Sequence, residues 1–135
     1  MEDELKELFP QMSVHEAKQL SPSVLAYVGD AVYELYVRSW LVEKHPMKMN
    51  QLHRATVSKV NASRQADFLQ TLLSGLSAEE MEIVRRGRNC RQGTLPKSTS
   101  PLKYRQSTGL EALVGFLFIT GQTQRLQQIL QSGEL

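Results

Sequence analysis

Apolar residues recur at helical intervals along most of the chain, and no stretch alternates apolar and polar positions well enough for a strand. The predicted fold is therefore all-α. Residues 2–9 and 13–20 fit two short helices separated at Pro10. Ser21 and Pro22 supply an N-cap and a first-turn proline for a helix that should run to about Glu43 and stop before Pro46. Asn50 to Leu73 is helical in pattern, with a break expected near Asn61 and a close at Gly75. Ser77 and Glu80 form a capping box that opens a helix ending near Gly87. Residues 87–99 hold two glycines, a proline and no apolar period, which predicts a loop. Ser100 and Pro101 open another helix, to Ile119, ended by Gly121, and a last amphipathic helix spans Gln122 to about Gln131.

Within this pattern two acids stand out. On a helical wheel residues 24–41 are apolar almost all round, which predicts the central helix of the domain. The main interruption is a stripe of Asp30, Glu34 and Arg38 at i, i+4 and i+8. Asp30 follows Gly29, a residue that lowers helix propensity and suggests close approach of another backbone or a ligand. The second acid is Glu111, the single charge in the run 110–119, LEALVGFLFI. A carboxylate in an apolar helix is costly unless it is paired, protonated or bound to a metal. Two such carboxylates meeting from two core helices would offer oxygen ligands suited to Mg²⁺. Periodicity leaves other readings open. Asp30, Glu34 and Arg38 also fit a solvated salt-bridge ladder, and Glu111 also fits a structural ion pair with Arg105 or Arg64.

Composition narrows the class. The 135 residues suffice for one domain with a core of its own, and 41% hydrophobic with 22% charged residues excludes a disordered chain. A single cysteine, Cys90, excludes an internal disulfide framework and a multi-cysteine zinc site. The acidic N-terminus has no apolar segment of a secretory signal, and no window is long and apolar enough to span a membrane, so the expected location is cytoplasmic. His15, His45 and His53 have no ligand spacing, and Tyr27, Tyr33, Tyr36 and Trp40 fit core and subunit-interface positions. Net charge is only +2, but its distribution is uneven. Between Arg85 and Gly109 stand Arg85, Arg86, Arg88, Arg91, Lys97, Lys103 and Arg105 without one acid, seven of the sixteen Lys and Arg in the chain. Such a local excess is the electrostatic footprint of a polyanion contact.

Two motifs carry a family resemblance. Residues 25–32, LAYVGDAV, resemble the ribonuclease III signature, whose core reads Leu-Glu-Phe-Leu-Gly-Asp followed by a small and an apolar residue. Residues 111–115, EALVG, resemble that family's second acidic motif, Glu-Ala-Leu-Ile-Gly. The departures matter as well, since Ala26 and Thr108 stand where the family has two further acids. The chain also ends at Leu135, with no double-stranded-RNA-binding domain expected after the catalytic one. Both departures, together with the segments around Arg86–Asn89 and Tyr104–Thr108, resemble the reduced subfamily called Mini-ribonuclease III. The resemblance covers roughly residues 21–131, with residues 1–20 as an N-terminal extension of a single catalytic domain.

The resemblance implies the all-helical ribonuclease III endonuclease fold and a homodimer with duplex RNA lying across it. Each protomer would cut one strand and leave a 5′-phosphate end. It implies maturation of the large-subunit (23S) ribosomal RNA precursor, with a ribosomal protein as a candidate helper. Asp30 and Glu111 become the expected catalytic and Mg²⁺-holding residues, with Glu34, Ser107 and Thr108 as their supports. The basic residues of 85–105 become the expected RNA contact. Loss of two acids also makes a non-catalytic RNA-binding dimer the alternative reading.

Overall fold

The structure is a computed structural model that describes residues 8–90 and 100–133. The first predicted helix lies almost wholly outside these residues. So does most of the predicted loop, including Arg91 and Lys97. The elements are α1 (Val14–Gln19), α2 (Pro22–Lys44), α3 (Met49–Lys59), α4 (Ala62–Leu72), a 3₁₀ turn (Leu73–Gly75), α5 (Ala78–Asn89), α6 (Pro101–Ile119) and α7 (Thr123–Gln131). No strand occurs among the described residues.

Local chemistry sets the boundaries. Ser21 and Ser100 accept from Val24 N and Lys103 N, and each is followed by a proline at the first helical position. Asn61 closes one helix and opens the next. Its Nδ2 donates to Val57 O and Ser58 O, while its Oδ1 accepts from Arg64 N. At the end of α6, Gly121 adopts φ +72°, and Gln122 N reaches back to Leu117 O at 2.9 Å, the geometry that terminates a helix on a left-handed glycine.

The central helix is α6, not α2 as its all-apolar wheel predicts. From Ser107 to Leu117 every residue of α6 except Glu111 is buried, against α2, α4, α5 and α7. Helix α2 buries one face, Leu25, Ala26, Gly29, Tyr33, Val37 and Leu41. Its opposite face, with Tyr27 80% exposed and Leu35 61% exposed, also carries apolar residues, and they have no cover among the described residues. Periodicity counts apolar positions; it does not say what covers them.

A clamp closes the far side of the core. Arg125 on α7 donates through Nε to Glu80 Oε2 (2.8 Å) and through Nη2 to Glu80 Oε1 and Gly75 O (both 2.9 Å). Glu80 is also the capping-box acid of α5, accepting from Ser77 N at 2.9 Å. The Arg125 guanidinium holds the buried Glu80 carboxyl below its ordinary range, against the opposing effect of burial. A depressed folded-state pKa contributes stability above the unfolded value, and that stability is lost as pH falls through the folded value. Arg125→Ala should therefore cost on the order of 2 kcal/mol at neutral pH. The gap from wild type should close as the solution is acidified below the carboxylate range. Thermal melts of both proteins from pH 7 to pH 3 measure it, and a pH-independent gap would contradict the assignment.

Candidate active site

Helices α2 and α6 touch backbone to backbone. A Cβ built on Gly29 would overlap the carbonyl oxygen of Glu111 and stand 2.8 Å from Gly115 N. One built on Gly115 would overlap Leu25 O and stand 2.9 Å from Gly29 N. The close approach that Gly29 suggested is thus to another backbone. Its consequence is chemical, because Asp30 is the next residue on one helix and Glu111 lies at the contact on the other. The two carboxyl groups come within hydrogen-bonding reach.

Their settings differ. Asp30 is exposed and lines an apolar groove, whereas Glu111 is set into the core and only partly open to solvent. Burial raises the Glu111 pKa to about 9, with the hydrogen bond and negative charge of Asp30 adding to it. At neutral pH, without a cation, Glu111 keeps its proton. Gln65, on α4, opposes this shift from beside Glu111. Yet its Nε2 is buried without a hydrogen bond of proper geometry to any acceptor. Two adjacent carboxyl groups, one kept neutral for want of a positive charge, fit a hard divalent cation, and the bare amide beside them lacks only an ionised acceptor. Among the described residues no group of three or more Asp, Glu, His or Cys surrounds such a position.

The predicted supports are distributed unevenly. Ser107 and Thr108 are buried one turn before Glu111, and both hydroxyls donate to Tyr104 O, at 2.7 and 3.1 Å. Their protons are committed and only their lone pairs remain. Glu34 forms a half-exposed i, i+4 ion pair with Arg38 at 2.9 Å, so that part of the ladder reading holds, while Asp30 faces Glu111 instead. Neither Arg105 nor Arg64 forms an ion pair with Glu111.

The basic residues also divide. Arg86 donates to Lys18 O and Leu20 O, both at 3.2 Å, and ties the end of α1 to α5. Two of the five N–H donors of this half-exposed guanidinium are thus committed to backbone carbonyls, a structural role beside its expected place among the RNA contacts. Arg85 is paired with Glu82, and Lys103 reaches Ser63 Oγ at 3.0 Å and Asp67 at 3.6 Å. Arg88 is partly buried with its stem against the Gly109 position. Arg105 is exposed and makes no hydrogen bond or ion pair among the described residues.

Two features carry a signal in the sequence that the basic run of 85–105 and the family motifs do not pick out. Residues 44–66 form a second run without an acid, containing Lys44, Lys48, Arg54, Lys59 and Arg64. Of these, Arg54 and Arg64 are exposed, while Lys59 lies over the Trp40 ring, 5.7 Å from its centroid. The other feature is Gln65. Its signal is register, since it stands four residues before Leu69 and seven before Leu72 on the buried stripe of α4, where a polar side chain is unexpected.

Comparison with known proteins gives the family. Residues 23–122 match the Ribonuclease III domain family. The chain is 46% identical to the Mini-ribonuclease 3 of Symbiobacterium thermophilum, over 84% of this chain and 87% of that protein. It is 47% identical to the Mini-ribonuclease 3 of a Synechococcus strain, over 90% and 86%. A crystal structure of a protein from Fusobacterium nucleatum superposes with a TM-score of 0.78 at 26% identity, covering 84% of this chain and 91% of that one. The chain belongs to the ribonuclease III family of endoribonucleases, in its Mini-ribonuclease 3 branch.

Proposed function

We propose that the chain is a cytoplasmic endoribonuclease that cuts both strands of duplex RNA, holding Mg²⁺ between Asp30 and Glu111 and working as a homodimer on the 23S ribosomal RNA precursor. The observation that carries this reading is the meeting of Asp30 and Glu111 at the glycine crossing of α2 and α6. When bound, the cation supplies charge stabilisation at the phosphate and a lowered pKa for the attacking water. Asp30 presents an exposed carboxylate beside Glu111, as an approaching phosphodiester requires. Glu111 brings a second oxygen donor from the core side, on a helix whose burial fixes it. Departure of the 3′ oxygen leaves the phosphate on the 5′ end.

The uncovered face of α2 supports the dimer. It forms one wall of a groove of about 650 Å³ that includes Tyr27, Ala31, Leu35 and Phe118, and Asp30 lies on the same groove. A contiguous apolar surface of this kind marks a protein contact. A second copy seated there brings two carboxylate pairs to one duplex. No described helix is long and apolar enough to cross a membrane. Duplex RNA is recognised largely through phosphates and 2′-hydroxyls, which suits Arg105 together with Arg85, Arg88, Arg91, Lys97 and Lys103.

Incubation with duplex RNA, with and without Mg²⁺, tests the reading. Cuts on both strands are expected only with the metal. Asp30→Asn should lower kcat by about a hundredfold or more while fold and duplex affinity persist. Full cleavage by this variant at saturating Mg²⁺ would remove Asp30 from the site, and binding without cuts by wild type would favour the non-catalytic dimer. For RNA binding, Arg105→Ala should weaken duplex affinity and reduce the slope of log K against log salt by roughly 0.7–0.9 for each phosphate no longer neutralised. An unchanged slope would reject Arg105. Arg86→Ala should lower the melting temperature.

A further inference from the structure

Among the described residues, one buried side-chain polar atom has no hydrogen-bond partner, and it is Nε2 of Gln65. The residue is 4% exposed, so water does not compensate freely. Packing alone does not call for an amide here. Leu69 and Leu72 continue the same buried stripe, and a side chain of similar volume without a donor would fill the position. The helix that carries it is held firmly, because Asn61 caps α4 one turn earlier and Gln65 N donates to Asn61 O at 3.0 Å. The neighbour of the bare amide is Glu111, whose charged form it favours.

Glu111 needs such a neighbour. The terminal torsion of a glutamate is broad, so a carboxylate used as a ligand must be oriented by something else. Ser107 and Thr108 do not donate to it, because their protons go to Tyr104 O. Asp30, as the other ligand of the cation, offers oxygen lone pairs and not a donor. The amide of Gln65, arriving from a third helix, is the donor in place.

We propose that Gln65 is a positioning residue for the metal site: its Nε2 donates to one oxygen of the Glu111 carboxylate in the cation-bound protein and turns the other oxygen toward Asp30. The proposal rests on the reading of Asp30 and Glu111 as a cation site. Its consequence is a split between the metal-free and metal-bound proteins. Without the cation the amide is a cost; with it, the amide is satisfied and orients a ligand.

The test uses the full chain without RNA, titrated with Mn²⁺ and followed by electron paramagnetic resonance. Wild type, Asp30→Asn, Gln65→Leu and the near-isosteric Gln65→Met are compared. Melting in EDTA and cleavage of duplex RNA at saturating Mg²⁺ are recorded alongside. Both Gln65 variants should keep or raise the melting temperature in EDTA, weaken Mn²⁺ binding by about tenfold, and lower kcat more than they raise KM for RNA. Unchanged Mn²⁺ affinity in folded variants would overturn the proposal. So would a large fall in the EDTA melting temperature of both, or failure of both to fold, since the amide would then be supporting the core. If Asp30→Asn leaves Mn²⁺ binding at the wild-type level, the cation-site reading itself fails, and the Gln65 proposal with it.

Discussion

Gly29→Ala is expected to abolish cleavage and to destabilise the protein by more than about 3 kcal/mol, the upper range for an extra methyl forced into a packed core. The usual cost assumes that side chains give way. Here the added Cβ meets the carbonyl of Glu111 and the amide of Gly115, backbone atoms of the most buried helix. Relief requires α2 and α6 to separate, and that moves Asp30 away from Glu111. Gly115→Ala should behave alike, because its Cβ meets Leu25 O and Gly29 N across the same crossing. The two effects should not add, since either substitution opens the one crossing they share. Gly75→Ala is the control. No atom lies within 4 Å of its Cβ position, so its stability should stay within about 1 kcal/mol of wild type. Urea denaturation of the three variants, with activity on duplex RNA, decides the matter. A Gly29→Ala protein with wild-type stability and activity would mean that the helices do not cross as described.

The local features were largely legible in the sequence, and the reason is that they are made by neighbours in the chain. Ser21-Pro22, Ser77 with Glu80, Ser100-Pro101 and Gly121 each set a helix end through contacts no more than five residues away. Asp30 and Glu111 were visible as charges where the helical pattern is apolar, and Gly29 as a glycine out of place in a helix. What stayed hidden depends on residues far apart in the chain. Arg86 reads as one of a row of cations until Lys18 O and Leu20 O, 66 or more positions away, are seen to take two of its donors. Glu80 reads as a capping residue, and its pairing with Arg125 spans 45 positions. The choice between α2 and α6 as central helix was hidden for the same reason. Both are apolar on most sides, but the exposed face of α2 has no cover among the described residues.

Glu111→Gln is expected to remove cleavage and, at the same time, to make the metal-free protein more stable. In the folded chain burial and the neighbouring Asp30 raise the Glu111 pKa to about 9, whereas an unfolded glutamate ionises near its ordinary value. Between those two values the folded state binds a proton that the unfolded state has released. A raised folded-state pKa means that stability is greatest below the unfolded value and falls as pH rises toward the folded one. At pH 7 that decrease amounts to at most about 3.5 kcal/mol, and nearer 1–2 kcal/mol after allowance for the partial solvent contact of Glu111. Glutamine resembles the protonated acid in size, keeps a donor for Asp30 and has no proton to lose. In EDTA at pH 7 its melting temperature should exceed that of wild type by roughly 3–7 °C. The difference should shrink toward pH 4 and grow toward pH 9. The order should reverse on adding Mg²⁺, because a cation bound to the folded state stabilises wild type by mass action and finds one ligand fewer in the variant. A variant less stable than wild type in EDTA at pH 7 would show that Glu111 is ionised and paired in the folded chain, and the description of this carboxyl as one that holds its proton until a cation replaces it would have to be given up.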